Sequence, residues 1–233
     1  MDRFSTWEDL RGVRMAFLPV GSLEQHGPHL PLGTDGIIAE ALAGRLADIF
    51  APAYLLPLLP FSSSFEHAGF PGCVSLKVTT IASIISDVVE SLAFSGIKKL
   101  VIVSGHMGNH LLRNVVQELN YPRPRVLLLP SRHHWERAYR VAGISSSPSR
   151  DMHAGESETS IVMHLFPEAV RYREIKDVDR PERQLLETLG MRAYTETGVI
   201  GFPSKASAEK GAMFLNALAE ETAKTVKEFV EIG

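Results

Sequence analysis

Glu24, His26 and Asp35 lie within one short stretch, Pro-Val-Gly-Ser-Leu-Glu-Gln-His-Gly-Pro-His-Leu-Pro-Leu-Gly-Thr-Asp, residues 19–35. Two carboxylates and an imidazole are hard oxygen and nitrogen donors of the kind that hold zinc, manganese or iron. Gly21, Pro28, Pro31 and Gly33 turn and stiffen the stretch and keep it from becoming a helix. It follows an apolar run that reads as a strand, and ligands of open α/β sheets bind beyond the carboxyl ends of strands. The chemistry implied is that of a metal-dependent enzyme.

Two further polar clusters follow the same rule. Ser104-Gly105-His106-Met107-Gly108-Asn109-His110 comes directly after a continuously apolar run, and Asp151-Met152-His153-Ala154-Gly155-Glu156-Ser157-Glu158-Thr159-Ser160 opens a helical segment. Glu24 and His26 are two residues apart, so extended backbone points them the same way. With Asp35, His106 and one glutamate of the third cluster the donors number five, too many for one catalytic zinc. They suit a two-metal site bridged by a carboxylate, most naturally Asp35. A bridging hydroxide would be the nucleophile: lowering the pKa of water from 15.7 to about 7 is worth about 12 kcal/mol, beyond any side-chain base. A departing nitrogen still needs a proton, and His153 is the candidate acid/base.

Each residue also has a plainer reading. A Glu-x-His in a loop can be solvated surface, and Glu156 or Glu158 can simply favour a helix N-terminus. The Gly105-x-x-Gly108 turn could cradle a phosphate in a non-catalytic nucleotide-binding module, although it lacks a third glycine and a P-loop lysine. His29, Asn109, His110, Glu156 and Trp135 are candidates for orienting ligands or touching substrate. His67, His133, His134 and His164 read as structural or solvent-facing, with His133 and His134 as alternative pocket residues. Cys73 reads as packed.

The elements that must position these groups alternate. Strands are expected at Arg14–Val20, Ala53–Leu59, Lys99–Ser104 and Arg125–Leu129. Helices are expected at Asp35–Phe50, Thr80–Phe94, Asn109–Leu119, Ser157–Phe166 and Ala208–Val230, with Thr80 as an N-cap and Gly96 as a C-terminal glycine. Alternation predicts a mostly parallel sheet with helices on both faces, in a single domain spanning residues 1–233. The chain has 233 residues, a formal net charge of −3 and one cysteine. That composition argues against a nucleic-acid partner, an intrachain disulfide or a thiolate-rich metal site. With no signal-peptide pattern and no long apolar run, the expectation is a cytoplasmic protein without a membrane partner.

The segment 19–35, the Gly105-His106 turn and His153-Ala154-Gly155 through Glu158-Thr159-Ser160 together resemble the creatininase (creatinine amidohydrolase) family. Phe70-Pro71-Gly72-Cys73-Val74-Ser75-Leu76 and Gly198-Val199-Ile200-Gly201 through Ala206-Ser207-Ala208-Glu209-Lys210-Gly211 are similar to it as well. The resemblance implies a three-layer α/β/α fold, a homo-oligomer that is a hexamer in the creatinine enzyme, and two divalent metal ions, zinc first, with manganese or iron as the other choices. It places Glu24, Asp35 and His106 on one metal, His26, Asp35 and Glu158 on the other, and makes His153 the acid/base. The implied activity is hydrolysis of a carbon–nitrogen bond other than an ordinary peptide bond, in a small-molecule amide, a formamide or a short peptide. Gly108 stands where creatinine-hydrolysing members carry a glutamate. This looks more like the branches that deformylate formylaminopyrimidine nucleotides or trim the mycofactocin precursor.

Overall fold

Four apolar segments form strands: β1 (Met15–Val20), β2 (Tyr54–Leu55), β3 (Lys99–Ser104) and β4 (Val126–Leu129). In the computed structural model, which describes residues 1–232, they pair in the order β2-β1-β3-β4 and every pairing is parallel. Parallel pairing needs a crossover between consecutive strands, and helices supply it: α1 (Thr34–Ile49) after β1, α2 (Val78–Phe94) before β3 and α3 (Leu111–Leu119) before β4. Beyond β4 lie α4 (Arg132–Val141), α5 (Glu156–Leu165), the single turn α6 (Leu186–Leu189) and the long α7 (Ala208–Glu231).

Alternation along β1 divides the core. Met15 and Phe17, with Val101 and Val103 of β3, pack against Ile38, Leu42 and Leu46 of α1, Ile161 of α5 and Phe214 and Leu218 of α7. Ala16, Leu18 and Val20, with Leu100 and Ile102, face Ile81, Ile85 and Val89 of α2 and Leu112 of α3. The result is the expected three-layer α/β/α arrangement. Burying each such side chain is worth about 1.5–3 kcal/mol, so the strand ends are held on a rigid frame. Gly211 lets α7 cross α5 closely, since a Cβ there would lie 1.9 Å from the Ser160 carbonyl.

Several elements differ from the sequence expectation, each for a local reason. β2 stops at Leu55 because Pro57 and Pro60 cannot donate to a ladder, and only a bridge between Val20 and Leu59 continues the pairing. α2 starts at Val78, where the Lys77 carbonyl accepts from the Thr80 and Ile81 amides, so Thr80 lies inside the first turn and caps nothing. α3 starts at Leu111 because residues 105–110 form a packed turn. α4 and α6 have no counterpart in the sequence expectation; α4 is polar apart from the buried stripe Trp135, Ala138 and Tyr139 and the exposed Val141 at its end. Gly96 closes α2 with φ +84°, as expected of a C-terminal glycine. Among the described residues no helix is long and apolar enough to cross a membrane.

Candidate metal centre

Register builds the site. Val20 of β1 lies opposite Ser104 of β3, so the two strands end level and release their loops side by side. Gly105 makes the approach close: a Cβ there would sit 2.0 Å from the Asp35 carbonyl at the start of α1. His106 is thereby brought onto Asp35, and Glu24 and His26 arrive from the neighbouring loop.

Asp35 stands between the two imidazoles. Its Oδ1 is 3.2 Å from His26 Nε2 and its Oδ2 is 3.3 Å from His106 Nδ1. Glu24 Oε1 is also 3.2 Å from His106 Nδ1, and Glu158 Oε2 is 4.0 Å from His26 Nε2. Two donor groups result, Glu24 with Asp35 and His106, and His26 with Asp35 and Glu158; Glu24, His26 and His153 form a third convergent set. Both Glu24 oxygens and Asp35 Oδ2 are buried without an aligned hydrogen-bond donor, an arrangement that costs stability unless a cation takes their lone pairs. His26 Nδ1 lies 3.2 Å from the Glu24 carbonyl, which can only accept, leaving Nε2 to face the carboxylates. The residues fit a pair of divalent cations.

Electrostatics say the same. Burial disfavours charge on His26, yet Asp35, Glu158 and Glu24 outweigh it and push the imidazole up to about 10. His106 is likewise raised against its burial by Glu24 and Asp35. Asp35 is held well below the usual carboxylate range, its burial outweighed by His26 and His106. Burial and the neighbouring Asp35 raise Glu158 to about 7 although His26 opposes this. The cluster draws positive charge inward. His153 moves the other way: burial, then His26 and His67, keep it well below 6.5 and therefore neutral.

The third cluster is set by backbone. Ala154 adopts φ +51°, a left-handed conformation that costs a non-glycine residue energy, and its amide donates to Glu158 Oε2 at 2.6 Å. Glu158 thus points at His26. Glu156 points away: it accepts from Ser145 and Ser146 and from Lys210 Nζ at 2.6 Å, tying that loop to α7. Glu156 is a structural tie, and of the two glutamates it is Glu158 that turns toward His26 and Asp35.

The other candidates separate. His29 is buried beside His26 and its Nε2 meets Thr159 Oγ1 at 2.9 Å, so it lies behind the donors. Asn109 is buried within the turn, its Nδ2 donating to Ser104 Oγ at 3.3 Å. His110 is exposed on the cavity wall. Trp135 is a correction: it is buried in the core, with its ring 5.1 Å from Phe214, and does not line the cavity. His134 caps α4 through Ser131. The Gly105–Gly108 turn does not suit a phosphate, because the Asp35 carbonyl oxygen backs Gly105 and the Glu66 carboxylate, whose Oε1 a Cβ on Gly108 would meet at 2.4 Å, would repel an anion.

Glu66 carries no sequence signal of its own, and His67, which reads as structural or solvent-facing, is buried against the donors. The 3-10 turn Phe65–His67 brings His67 Nε2 to 3.2 Å from Glu24 Oε1 and Glu66 Oε1 to 3.3 Å from His106 Nε2. The one available signal was the neighbouring Phe70-Pro71-Gly72 stretch. Over the donors opens a cavity of about 610 Å³, walled by Phe65, Met107, Met152, Leu186, Leu189 and Met191.

Known proteins resemble the chain in sequence and fold. The creatininase (creatinine amidohydrolase) family model matches residues 4–226. The mycofactocin precursor peptide peptidase of Mycolicibacterium smegmatis is 33% identical over 227 residues, covering 93% of this chain and 86% of that protein. The creatinine amidohydrolase of Pseudomonas putida is 25% identical over 248 residues, covering 96% of this chain and 94% of that protein. A crystal structure of creatinine amidohydrolase superposes with a TM-score of 0.81 at 25% identity, covering 97% of this chain and 96% of that one. The chain belongs to the creatininase family and is a hydrolase of carbon–nitrogen bonds.

Proposed function

We propose that the chain hydrolyses an amide carbon–nitrogen bond at a pair of divalent cations held by Glu24, Asp35 and His106 on one side and by His26, Asp35 and Glu158 on the other. The observation that carries this is Asp35, whose two oxygens are each turned to a different histidine, as a bridging carboxylate requires. When bound, such a pair supplies an activated water and polarises the amide carbonyl. Zinc and manganese are the ions that suit the mixed nitrogen and oxygen donors best.

The chain's own residues supply the proton. His153 Nε2 lies 2.5 Å from the Gln25 carbonyl, which can only accept, so Nε2 carries the hydrogen and Nδ1 is left bare toward the site, 3.9 Å from Glu24 Oε1. Neutral and fixed, Nδ1 is fit to take a proton from water and return it to the leaving nitrogen. Replacing His153 by Ala is expected to lower kcat by about 10²–10⁴-fold while two metals per chain remain by elemental analysis. Loss of a metal would instead make His153 the ligand that its convergence with Glu24 and His26 also permits.

On substrate, the cavity supports a short peptide over a ring as small as creatinine. Its volume of about 610 Å³ is in the range of drug-sized ligands, and Glu66 occupies the space beside Gly108. The 33% identical relative named as a peptide peptidase points the same way. Assaying the metal-loaded protein on short peptides, formylaminopyrimidine nucleotides and creatinine tests this: turnover of creatinine alone would overturn it. A cytoplasmic homo-oligomer, a hexamer by resemblance, belongs to the same proposal.

A further inference from the structure

Two imidazoles lie against each other at the edge of the donor cluster, His67 and His153, with ring centroids 4.5 Å apart and planes tilted by 51°, and Gln25 touches both. The orientation of the Gln25 amide is determined by its partners. Its Oε1 accepts from the Gly27 amide at 2.9 Å, and its Nε2 faces the Gly198 carbonyl at 3.2 Å, which can only accept. The same NH₂ group lies 2.9 Å from His67 Nδ1, so Nδ1 must accept. A neutral imidazole that accepts at Nδ1 carries its hydrogen at Nε2. That Nε2 is 3.2 Å from Glu24 Oε1. Gly198, at φ +89°, makes room for the amide, since a Cβ there would lie 1.6 Å from Gln25 Oε1.

We propose that Gln25 sorts these two histidines into opposite roles. Its side chain fixes the His67 hydrogen on Nε2, which faces Glu24 Oε1 at 3.2 Å as the positive end of the ring dipole without hydrogen-bond alignment, and its backbone carbonyl leaves His153 with a lone pair toward the site. Both rings carry the hydrogen on Nε2, but His67 presents that hydrogen to the cluster and His153 presents its bare Nδ1. His67 is therefore neither ligand nor base; it is a positioning residue. The N–H facing Glu24 biases the direction of the carboxylate by its partial positive charge and leaves the oxygen lone pairs to the cation. This rests on the reading of Glu24 as a metal ligand and of His153 as the proton carrier.

The test is nitrogen NMR of the histidine rings in zinc-loaded protein, with the His67 signals identified by their loss in His67→Gln. Both His67 and His153 are expected as Nε2–H tautomers; His67 with its hydrogen on Nδ1, or with zinc on Nε2, overturns the proposal. Zinc affinity by chelator competition supplies the second arm. His67→Ala and Gln25→Glu, whose carboxylate can only accept from Nδ1, are expected to weaken binding about 10–100-fold. His67→Gln, which restores an N–H near the Nε2 position, should recover most of it. Zinc affinity within twofold of wild type in both His67→Ala and Gln25→Glu overturns the proposal. Wild-type protein that binds no zinc would defeat the two-metal reading instead, while the tautomers can still be read in its absence.

Discussion

The floor of the cavity and its wall are built differently. The floor, Glu24, His26, Asp35 and His106, hangs on loops leaving β1 and β3 at the same level and on the first turn of α1, and each of these side chains is buried. The outer wall, Phe65, Met107, His110 and Leu189, comes from a 3-10 turn, a loop and the single-turn α6, and these side chains are exposed, whereas Met191 deeper in the wall is buried. Donors whose positions must hold to a fraction of an ångström sit on a packed frame, and groups that choose among substrates sit where change costs little. The difference teaches that one floor can serve many amides.

The sharpest way to break the comparison is at the floor. Asp35→Ala removes the only carboxylate that both donor groups share, so metal content should fall from about two per chain toward zero, with turnover down by at least about 10⁴-fold. Activity surviving in a metal-free variant would end the two-metal reading. A second large effect is pH. His26, raised to about 10, and the raised His106 hold protons across the neutral range, and Glu158 gains one below about 7. Cations must displace those protons, so affinity falls as pH falls; from pH 8 to 6 the apparent Kd should rise by at least about 10²-fold by isothermal calorimetry.

Where wall meets floor the effect should be intermediate. Gly108→Ala puts a Cβ 2.4 Å from Glu66 Oε1 and 2.5 Å from His106 Nε2, and both must move. Affinity for the cation at His106 should drop about 10–100-fold, read by metal titration, with the second position less affected. At the wall alone, Leu189→Ala should shift KM among peptide substrates by no more than about threefold, leave metal content intact, and change stability by no more than about 0.5 kcal/mol in urea melts. A loss of metal in that variant would erase the distinction between wall and floor.

Periodicity found the helices whose apolar stripes face the sheet, and it missed α4, whose stripe of Trp135, Ala138 and Tyr139 is embedded in charged residues. An apolar run over 53–59 suggests a longer β2 than Tyr54–Leu55, because apolarity does not register that Pro57 has no N–H for the ladder. Trp135 was misjudged for a related reason: an aromatic beside polar neighbours looks available to substrate until a partner such as Phe214 covers it.

Residue type and spacing alone determined that Glu24, His26, Asp35, His106 and one glutamate of 156–158 could act together, because hard donors placed after apolar strands have few other uses. The tertiary structure decided which glutamate turns inward, since that depends on the left-handed Ala154 and on Lys210 claiming Glu156. It also decided that Glu66 and His67, on a turn far from the donors in sequence, lie against them in space. Local pattern records what a side chain can do; which groups it meets is set by strand register and loop packing, which no short window of sequence contains.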